Sequence, residues 1–456
     1  MRKRFFLMLT ILASAFVFST TALAQQKFSV SLNSKQEVPQ NSSTGKGSCV
    51  ITLNAAETQI TVNCSYSGLT SNAVASHIHG NAAPGVNAGV KFNLTNTGGT
   101  SGTITNTITV TPADVTAMRA KLFYVNIHTT NFSGGEIRGQ VKLATTPVDY
   151  DGDGRTDIRV LRPTENGFYT LNSFDNSVSF NSFVGASTIY SSNDDYDGDG
   201  RGDLVIFAAD GTTRIWRILQ TATNTVRQVA WGSTAATDQV LPADYDGDGK
   251  ADIAVYRRTT GVWYILRSSD DQMQAETFGL GPNDIAVVGD FDKDGKNDLT
   301  TIRSSTGDGF PWFTRRSSDG VVQTVFWGGP PAPATDTVFT AAQIDIDGDG
   351  RQDHMVVRDS NGGTTTGGTY TFFVRRSSDG SQFTLPWGLD TDIFRYGDYD
   401  GDGKTDIAAR RTEGGVYNWY IYQSATGTGR VVTFGGTGDA RVLESDEDIN
   451  SALEIF

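Results

Sequence analysis

The pattern Asp-x-Asp-x-Asp-Gly-x-x-Asp occurs six times, at intervals of 46 to 55 residues, and no other feature constrains the fold as tightly. The copies start at Asp149, Asp195, Asp244, Asp290, Asp345 and Asp398. Six matches at near-even spacing are not chance, and a period of this length marks a solenoid, a propeller or an array. The units also agree between the acidic loops. An apolar run follows each loop directly, as in Ile253-Ala254-Val255-Tyr256-Arg257, and an aromatic run comes next, as in Val262-Trp263-Tyr264-Ile265-Leu266. A third run ends in aromatic-Gly (Trp231-Gly232, Phe278-Gly279, Trp327-Gly328, Trp387-Gly388, Phe434-Gly435), and a fourth leads into the next loop, as in Asp284-Ile285-Ala286-Val287-Val288-Gly289. Four short strands per unit predict a β-propeller over residues 146–456. Six repeats favour six blades. Seven would need a blade without a motif, for which the sequence has no room.

The acidic loops have the composition of cation sites. Positions 1, 3, 5 and 9 are aspartate in every copy: Asp149, Asp151, Asp153 and Asp157; Asp195, Asp197, Asp199 and Asp203; Asp244, Asp246, Asp248 and Asp252; Asp290, Asp292, Asp294 and Asp298; Asp345, Asp347, Asp349 and Asp353; Asp398, Asp400, Asp402 and Asp406. Ca²⁺ takes six to eight oxygen ligands in flexible geometry, and like charges gathered without a cation are unfavourable. Side chains at positions 1, 3 and 5 are the expected ligands, with a carbonyl from position 7. Glycine at position 6 permits the turn, and position 9 closes the site. About six calcium ions are expected. Position 7 is Arg or Lys throughout, and a carbonyl ligand is indifferent to the side chain there. No Glu stands at position 12 and no helical pattern flanks the loops, so an EF-hand is excluded. Arg201-Gly202-Asp203 reads as an accident of the motif, because Asp203 is a loop aspartate.

Composition narrows the partners. The 456 residues carry a net charge of −14, which argues against nucleic acid or an anionic membrane. Hydrophobic residues at 38% suffice for packed cores. Residues 1–24 read as a secretory signal peptide: Met1-Arg2-Lys3-Arg4 is basic, Phe5 to Phe18 is apolar, and Ala22-Leu23-Ala24 is a small-x-small site before Gln25. Secretion to the periplasm, the cell surface or the medium is expected, with no membrane insertion. In that compartment Cys49 and Cys64, on two β-rich runs joined by a turn, favour a cross-strand disulfide.

Residues 25–145 alternate polar and apolar positions with period two, as in Thr103-Ile104-Thr105-Asn106-Thr107-Ile108, and predict an antiparallel β-sandwich. One helix is expected over Pro112–Leu122, capped by Thr111. His77 and His79 are two apart on a strand and share a face, and His128 lies on a second strand. Three imidazoles could bind Cu²⁺ or Zn²⁺. The alternative is that they hydrogen-bond Glu136, Asn126 or the backbone. Glu136 and Arg138 share a face, as a surface ion pair or a ligand contact.

The repeats resemble the VCBS/FG-GAP family, the calcium-binding blades also found in integrin α-chain propellers. That resemblance implies calcium in blade loops and extracellular recognition or adhesion. Gln36-Glu37-Val38-Pro39, Ser76-His77-Ile78-His79-Gly80, Tyr124-Val125-Asn126-Ile127-His128-Thr129 and Gly134-Gly135-Glu136-Ile137-Arg138-Gly139 together resemble the CHRD domain. That resemblance implies an extracellular β-sandwich and does not imply an enzymatic activity. The whole is an all-β chain whose expected function is calcium-dependent, non-enzymatic recognition of an extracellular protein or polysaccharide by a monomer. A polysaccharide-active hydrolase or lyase on the propeller is the alternative. No Gly-x-Ser-x-Gly is present, and the propeller's single histidine, His354, reads as a packing residue.

Overall fold

The computed structural model describes residues 26–54, 56–143, 148–151, 154–165, 167–173, 175–182, 190–191, 194–198, 200–221, 223–234, 238–303, 309–329, 336–337, 343–360, 367–439 and 443–444. The expected signal peptide, Asp153 and Asp199 lie outside the described residues.

The N-terminal unit has nine strands: β1 (Gln26–Asn33), β2 (Lys46–Leu53), β3 (Gln59–Ser67), β4 (Ala73–His79), β5 (Val90–Leu94), β6 (Gly102–Thr109), β7 (Tyr124–Thr129), β8 (Ile137–Gln140) and β9 (Lys142–Leu143). They run in the order β5-β4-β7-β8-β1-β2-β3-β6, with β9 beside β1. Asn33 opposite Arg138 is the one register pair joining the β5-β4-β7-β8 half to the β1-β2-β3-β6 half. Alternation along β3 buries Ile60, Val62, Cys64 and Tyr66 while their neighbours face out. The inward residues of both halves form one core that includes Phe28, Ile51, Ile78, Ile104, Val125 and Ile137. This is the expected sandwich. Cys49 faces Cys64 in the β2–β3 register, and the two are bonded. Helix α1 (Pro112–Arg119) starts at the expected cap, where Thr111 and Asp114 form a capping box. It ends three residues before Leu122 because the chain turns through Ala120 and Lys121, the latter at φ 56°.

Six antiparallel sheets follow, one after each acidic loop. Sheet 1 comprises Ile158–Arg162, Gly167–Leu171 and Val178–Ser182, and sheet 2 Leu204–Asp210, Thr213–Gln220 and Thr225–Ser233. Sheet 3 is Asp238–Val240, Ile253–Arg257, Val262–Leu266 and Met273–Thr277, and sheet 4 is Asp284–Val287, Leu299–Arg303, Phe310–Arg315 and Val322–Trp327. Sheet 5 is Asp336–Thr337, His354–Asp359, Thr369–Arg375 and Gln382–Leu389, and sheet 6 is Ile393–Gly397, Asp406–Glu413, Val416–Gln423 and Thr428–Gly436. In sheets 3 to 6 the strand preceding each acidic loop is the first of its blade.

Apolar clusters between the sheets define a ring. Sheet 1 packs on sheet 2, 2 on 3, 3 on 4, 4 on 5 and 5 on 6. A last cluster of Ile158, Val160, Ala408, Trp419 and Ile421 packs sheet 6 on sheet 1. The six sequence repeats therefore become six blades. The repeated tryptophans are core residues: Trp216, Trp263, Trp312 and Trp419 each donate an indole N–H to the carbonyl of the aromatic-Gly pair, at 2.9–3.2 Å. No helix among the described residues is long and apolar enough to cross a membrane.

Candidate functional site

Each acidic loop is organised by its first and ninth aspartates. The position-1 carboxylate accepts the backbone N–H of position 6 at 2.7–2.8 Å in all six copies. That folds the loop back on itself and puts the position-6 glycine at φ of 81° to 88°, where a side chain would be strained. The position-9 carboxylate does different work. One oxygen accepts the N–H of position 2, from Tyr150, Tyr196, Tyr245, Phe291, Ile346 or Tyr399, at 2.8–3.0 Å. The other accepts the N–H of Ser173, Thr221, Ser268, Ser317, Ser377 or Ser424, at 2.6–2.9 Å. These last residues sit in the hairpin between the second and third strands that follow the loop. Position 9 thus staples loop to hairpin as well as facing the centre of the acidic cluster.

The loops also bond to each other. The position-8 N–H of one loop donates to the position-1 carbonyl of the loop before it. The pairs are Gly202 to Asp149, Ala251 to Asp195, Asn297 to Asp244, Gln352 to Asp290, Thr405 to Asp345 and Thr156 to Asp398, at 2.5–2.8 Å. The last pair closes the circle between the sixth loop and the first. Position 7 has a role that a carbonyl ligand does not explain. The side chains of Arg155, Lys250, Lys296 and Lys404 lie over Gly401, Gly198, Gly247 and Gly348 of the preceding loops, where a Cβ would meet them at 2.8–3.1 Å. A cation at position 7 therefore borders two acidic loops.

Carboxylates gather accordingly. Asp149, Asp151 and Asp157 bring ligand oxygens within 4.8 Å of one another, as do Asp195, Asp197 and Asp203; Asp244, Asp246 and Asp248; and Asp290, Asp292 and Asp294. Burial, reinforced by neighbouring carboxylates, pushes Asp203 up to about 8, Asp252, Asp298 and Asp406 to about 7, and Asp353 to about 6. Asp345 rises to about 7 and Asp290 well above its ordinary range for the same reasons. Asp203 is fully buried, so Arg201-Gly202-Asp203 does not present its carboxylate.

Serine pairs that the motif does not include complete three of the loops. Ser268 and Ser269 donate to Asp248 and Asp246 at 2.9 and 2.6 Å. Ser377 and Ser378 donate to Asp349 and Asp347 at 3.0 and 2.5 Å. Ser317 donates to Asp294 at 2.8 Å and Ser318 to Asp292. The signal was available: Arg-Ser-Ser-Asp recurs at 267–270, 316–319 and 376–379.

In the sandwich, β4 and β7 bring His77, His79 and His128 together, with ring centroids 4.9–6.0 Å apart. Glu136 is not among their partners, and the expected surface pair of Glu136 with Arg138 does not form. Both side chains are buried. Glu136 is saturated by Ser43, Thr70 and Thr129 at 2.5–3.1 Å. Arg138 instead stacks on Tyr124, 3.4 Å from its ring centre, and donates to Val86 and Asn87. Arg138 also borders a cleft of about 450 Å³ with Gln36, Glu37, Val38, Pro84 and Gln140. His354 is buried between Phe291 and Trp312, and that burial lowers it to about 3, which fits a packing residue.

The chain carries a CHRD domain over residues 28–141 and an FG-GAP-like repeat over residues 195–255. No curated protein matches the sequence. Among solved structures the chain is similar to TolB from Acinetobacter baumannii, at 13% identity over 69% of this chain and 77% of that one, with a TM-score of 0.40. It is also similar to the β-propeller domain of the Trilobed protease from Pyrococcus furiosus, at 11% identity over 73% and 90%, TM-score 0.30. A third is the WD40 domain of SCAP from fission yeast, at 10% identity over 61% and 86%, TM-score 0.31.

Proposed function

We propose that this is a secreted recognition protein whose six acidic loops bind calcium and so stiffen a propeller that presents a binding face. The observation that carries the reading is the hydrogen-bonded circle of six loops. It buries carboxylates and sets others beside them, so that several are pushed toward neutral pH, an arrangement that multivalent cations relieve. Bound calcium would supply charge neutralisation and cross-linking within each loop. The side chains at positions 1, 3, 5 and 9 are the donors that fit it.

The binding face is the one opposite the acidic circle. There Arg162, Arg257, Arg303 and Arg411 each pair with a buried aspartate (Asp439, Asp238, Asp284 and Asp392) at 2.6–2.8 Å. Each also lies 4.4–4.9 Å from the ring centre of Tyr169, Tyr264, Phe313 or Tyr420. Arginines held by buried carboxylates and backed by aromatic rings suit an acidic polysaccharide or an acidic protein surface. Two of these rings donate their hydroxyls to carboxylates, Tyr169 to Glu165 and Tyr420 to Glu413; we read these as braces of the arginine–aromatic pairs and prefer binding without turnover over a hydrolase or lyase.

The test is elemental analysis and thermal unfolding of the mature chain with and without a calcium chelator. About six calcium ions and a melting temperature that falls on chelation are expected. A chain that melts at the same temperature after complete calcium removal would refute the structural role. An array of acidic glycans then tests the face, with Arg257→Ala and Arg411→Ala expected to weaken retention.

A further inference from the structure

The histidine cluster stands apart from the acidic loops and has its own logic. His77 and His79 alternate on β4. His77 faces Asn126 and Ala75 faces His128 in the β4–β7 register, so His128 is the diagonal neighbour of His77 on the same side of the sheet. One nitrogen from each ring lies within 4.8 Å of the other two.

The hydrogen bonds fix which nitrogens are free. His79 Nδ1 is 3.0 Å from the carbonyl oxygen of Ala88, and His128 Nδ1 is 3.0 Å from that of Ser133. A carbonyl only accepts, so both Nδ1 atoms carry the proton, and a neutral ring then leaves a lone pair on Nε2. Ligating histidines are oriented in this way, with the far nitrogen donating to a carbonyl. His77 Nδ1 lies 3.1 Å from His128 Nε2 and donates to it, so that lone pair is hydrogen-bonded until a metal ion displaces the His77 proton. His79 Nε2 has no hydrogen-bond partner among the described residues, although the residue is only 8% exposed. A buried polar atom left unsatisfied costs on the order of 1–3 kcal/mol, and nothing on the neighbouring strands relieves it. Glu136, the nearest sequence candidate, is saturated elsewhere.

We propose that His77, His79 and His128 form a site for one divalent late transition-metal ion, Cu²⁺ or Zn²⁺, bound through imidazole nitrogens. An all-imidazole donor set favours these ions over the oxygen-seeking Ca²⁺ of the loops. His77 and His128 are only partly buried, so one side of the site is open to solvent or to a further ligand.

The experiment uses the full, untagged chain, stripped of metal and then saturated with Ca²⁺ so that the loops are filled. Cu²⁺ is added, the chain is desalted, and retained copper is counted and examined by pulsed electron paramagnetic resonance. One retained copper with three imidazole nitrogens is expected. The chain has four histidines, and His354 is buried in the propeller, so a count above one identifies the cluster. His79→Ala and His128→Ala should each weaken retention by at least about tenfold. A copper spectrum with one imidazole or none in the unaltered chain overturns the proposal, whether or not the variants fold. So does retention that both folded variants leave unchanged.

Discussion

Glu37 is 5% exposed, and its Oε1 accepts no hydrogen bond. Burial raises its carboxyl to about 7, against the opposing pull of Arg138 and Asn126. The folded chain therefore binds this proton more tightly than the unfolded chain, whose carboxyl titrates near 4.5. Stability from this group is full below about pH 4.5, declines as pH rises toward 7, and is flat above. At about 1.4 kcal/mol per unit the loss is on the order of 3 kcal/mol. Glu37→Gln removes the titration. In saturating calcium its melting temperature relative to the unaltered chain should rise between pH 5 and pH 8, and a pH-independent difference would show that Glu37 is charged throughout. At this scale the sequence was informative about residue type and poor about surroundings. His77 and His79 share a face because strands have period two, which is visible in the letters, whereas His128 joins them through the β4–β7 register. Glu136 and Arg138 share one for the same reason, yet each is buried with partners from distant segments, Ser43 and Thr70 for one, Tyr124 and Val86 for the other. Only the assembled sandwich brings those together.

The acidic loop is the element on which the propeller is built, and its aspartates divide the labour. Asp298 accepts two backbone N–H groups, from Phe291 and Ser317, and is fully buried. Asp294, in the same loop, accepts from Lys296 and from the Ser317 hydroxyl and is partly exposed. Asp298→Ala leaves two N–H groups without acceptors, so it should cost about 2–4 kcal/mol even in calcium-free protein. Asp294→Ala should leave the calcium-free chain within about 1 kcal/mol of the unaltered one and reduce the increment that calcium adds. Thermal melts of both variants in calcium and in chelator decide this, and equal losses for the two in chelator would sink the division. The motif spacing revealed the four aspartates, but it presented position 9 as a plain ligand. Its bonding to the hairpin depends on a serine or threonine 16 to 24 residues further on, outside the window of any loop motif. Lys or Arg at position 7 was visible in every copy. Its reason, a neighbouring loop about 50 residues away, required the ring.

At the scale of the whole molecule, the sandwich sits on the acidic circle. Lys121 donates to the Asp248 carbonyl at 2.8 Å, and Lys142 to those of Gly247 and Gly295 at 3.3 Å while pairing with Asp244 at 3.5 Å. Lys46 reaches Asp292 at 3.4 Å, and Lys27 reaches Gly401 and Asp398. Four lysines of one domain thus meet three loops of the other, and the face with the arginines stays open. Nothing in the local sequence marks this contact, because the acceptors are peptide carbonyls and the lysines are spread over residues 27–142. The ring of blades, by contrast, was legible from the six copies. Its closure was not, since the C-terminal segment must return to the start of the ring: Asp439 reaches Arg162 as Asp238 reaches Arg257, and Leu443–Glu444 pairs in parallel with Tyr190–Ser191. Docking by lysines onto an acidic surface is electrostatic in origin and partly shielded from solvent, so it should survive moderate salt and fail when the charge is reversed. With a specific protease site placed between Leu143 and Val148, the two cleaved parts of the unaltered chain should co-elute in size-exclusion chromatography. Lys121→Glu with Lys142→Glu should let them separate, because two anions would then face the Asp244 and Asp294 loops. Co-elution that persists with both lysines reversed would mean that shape and apolar contact, not these charges, hold the sandwich to the propeller.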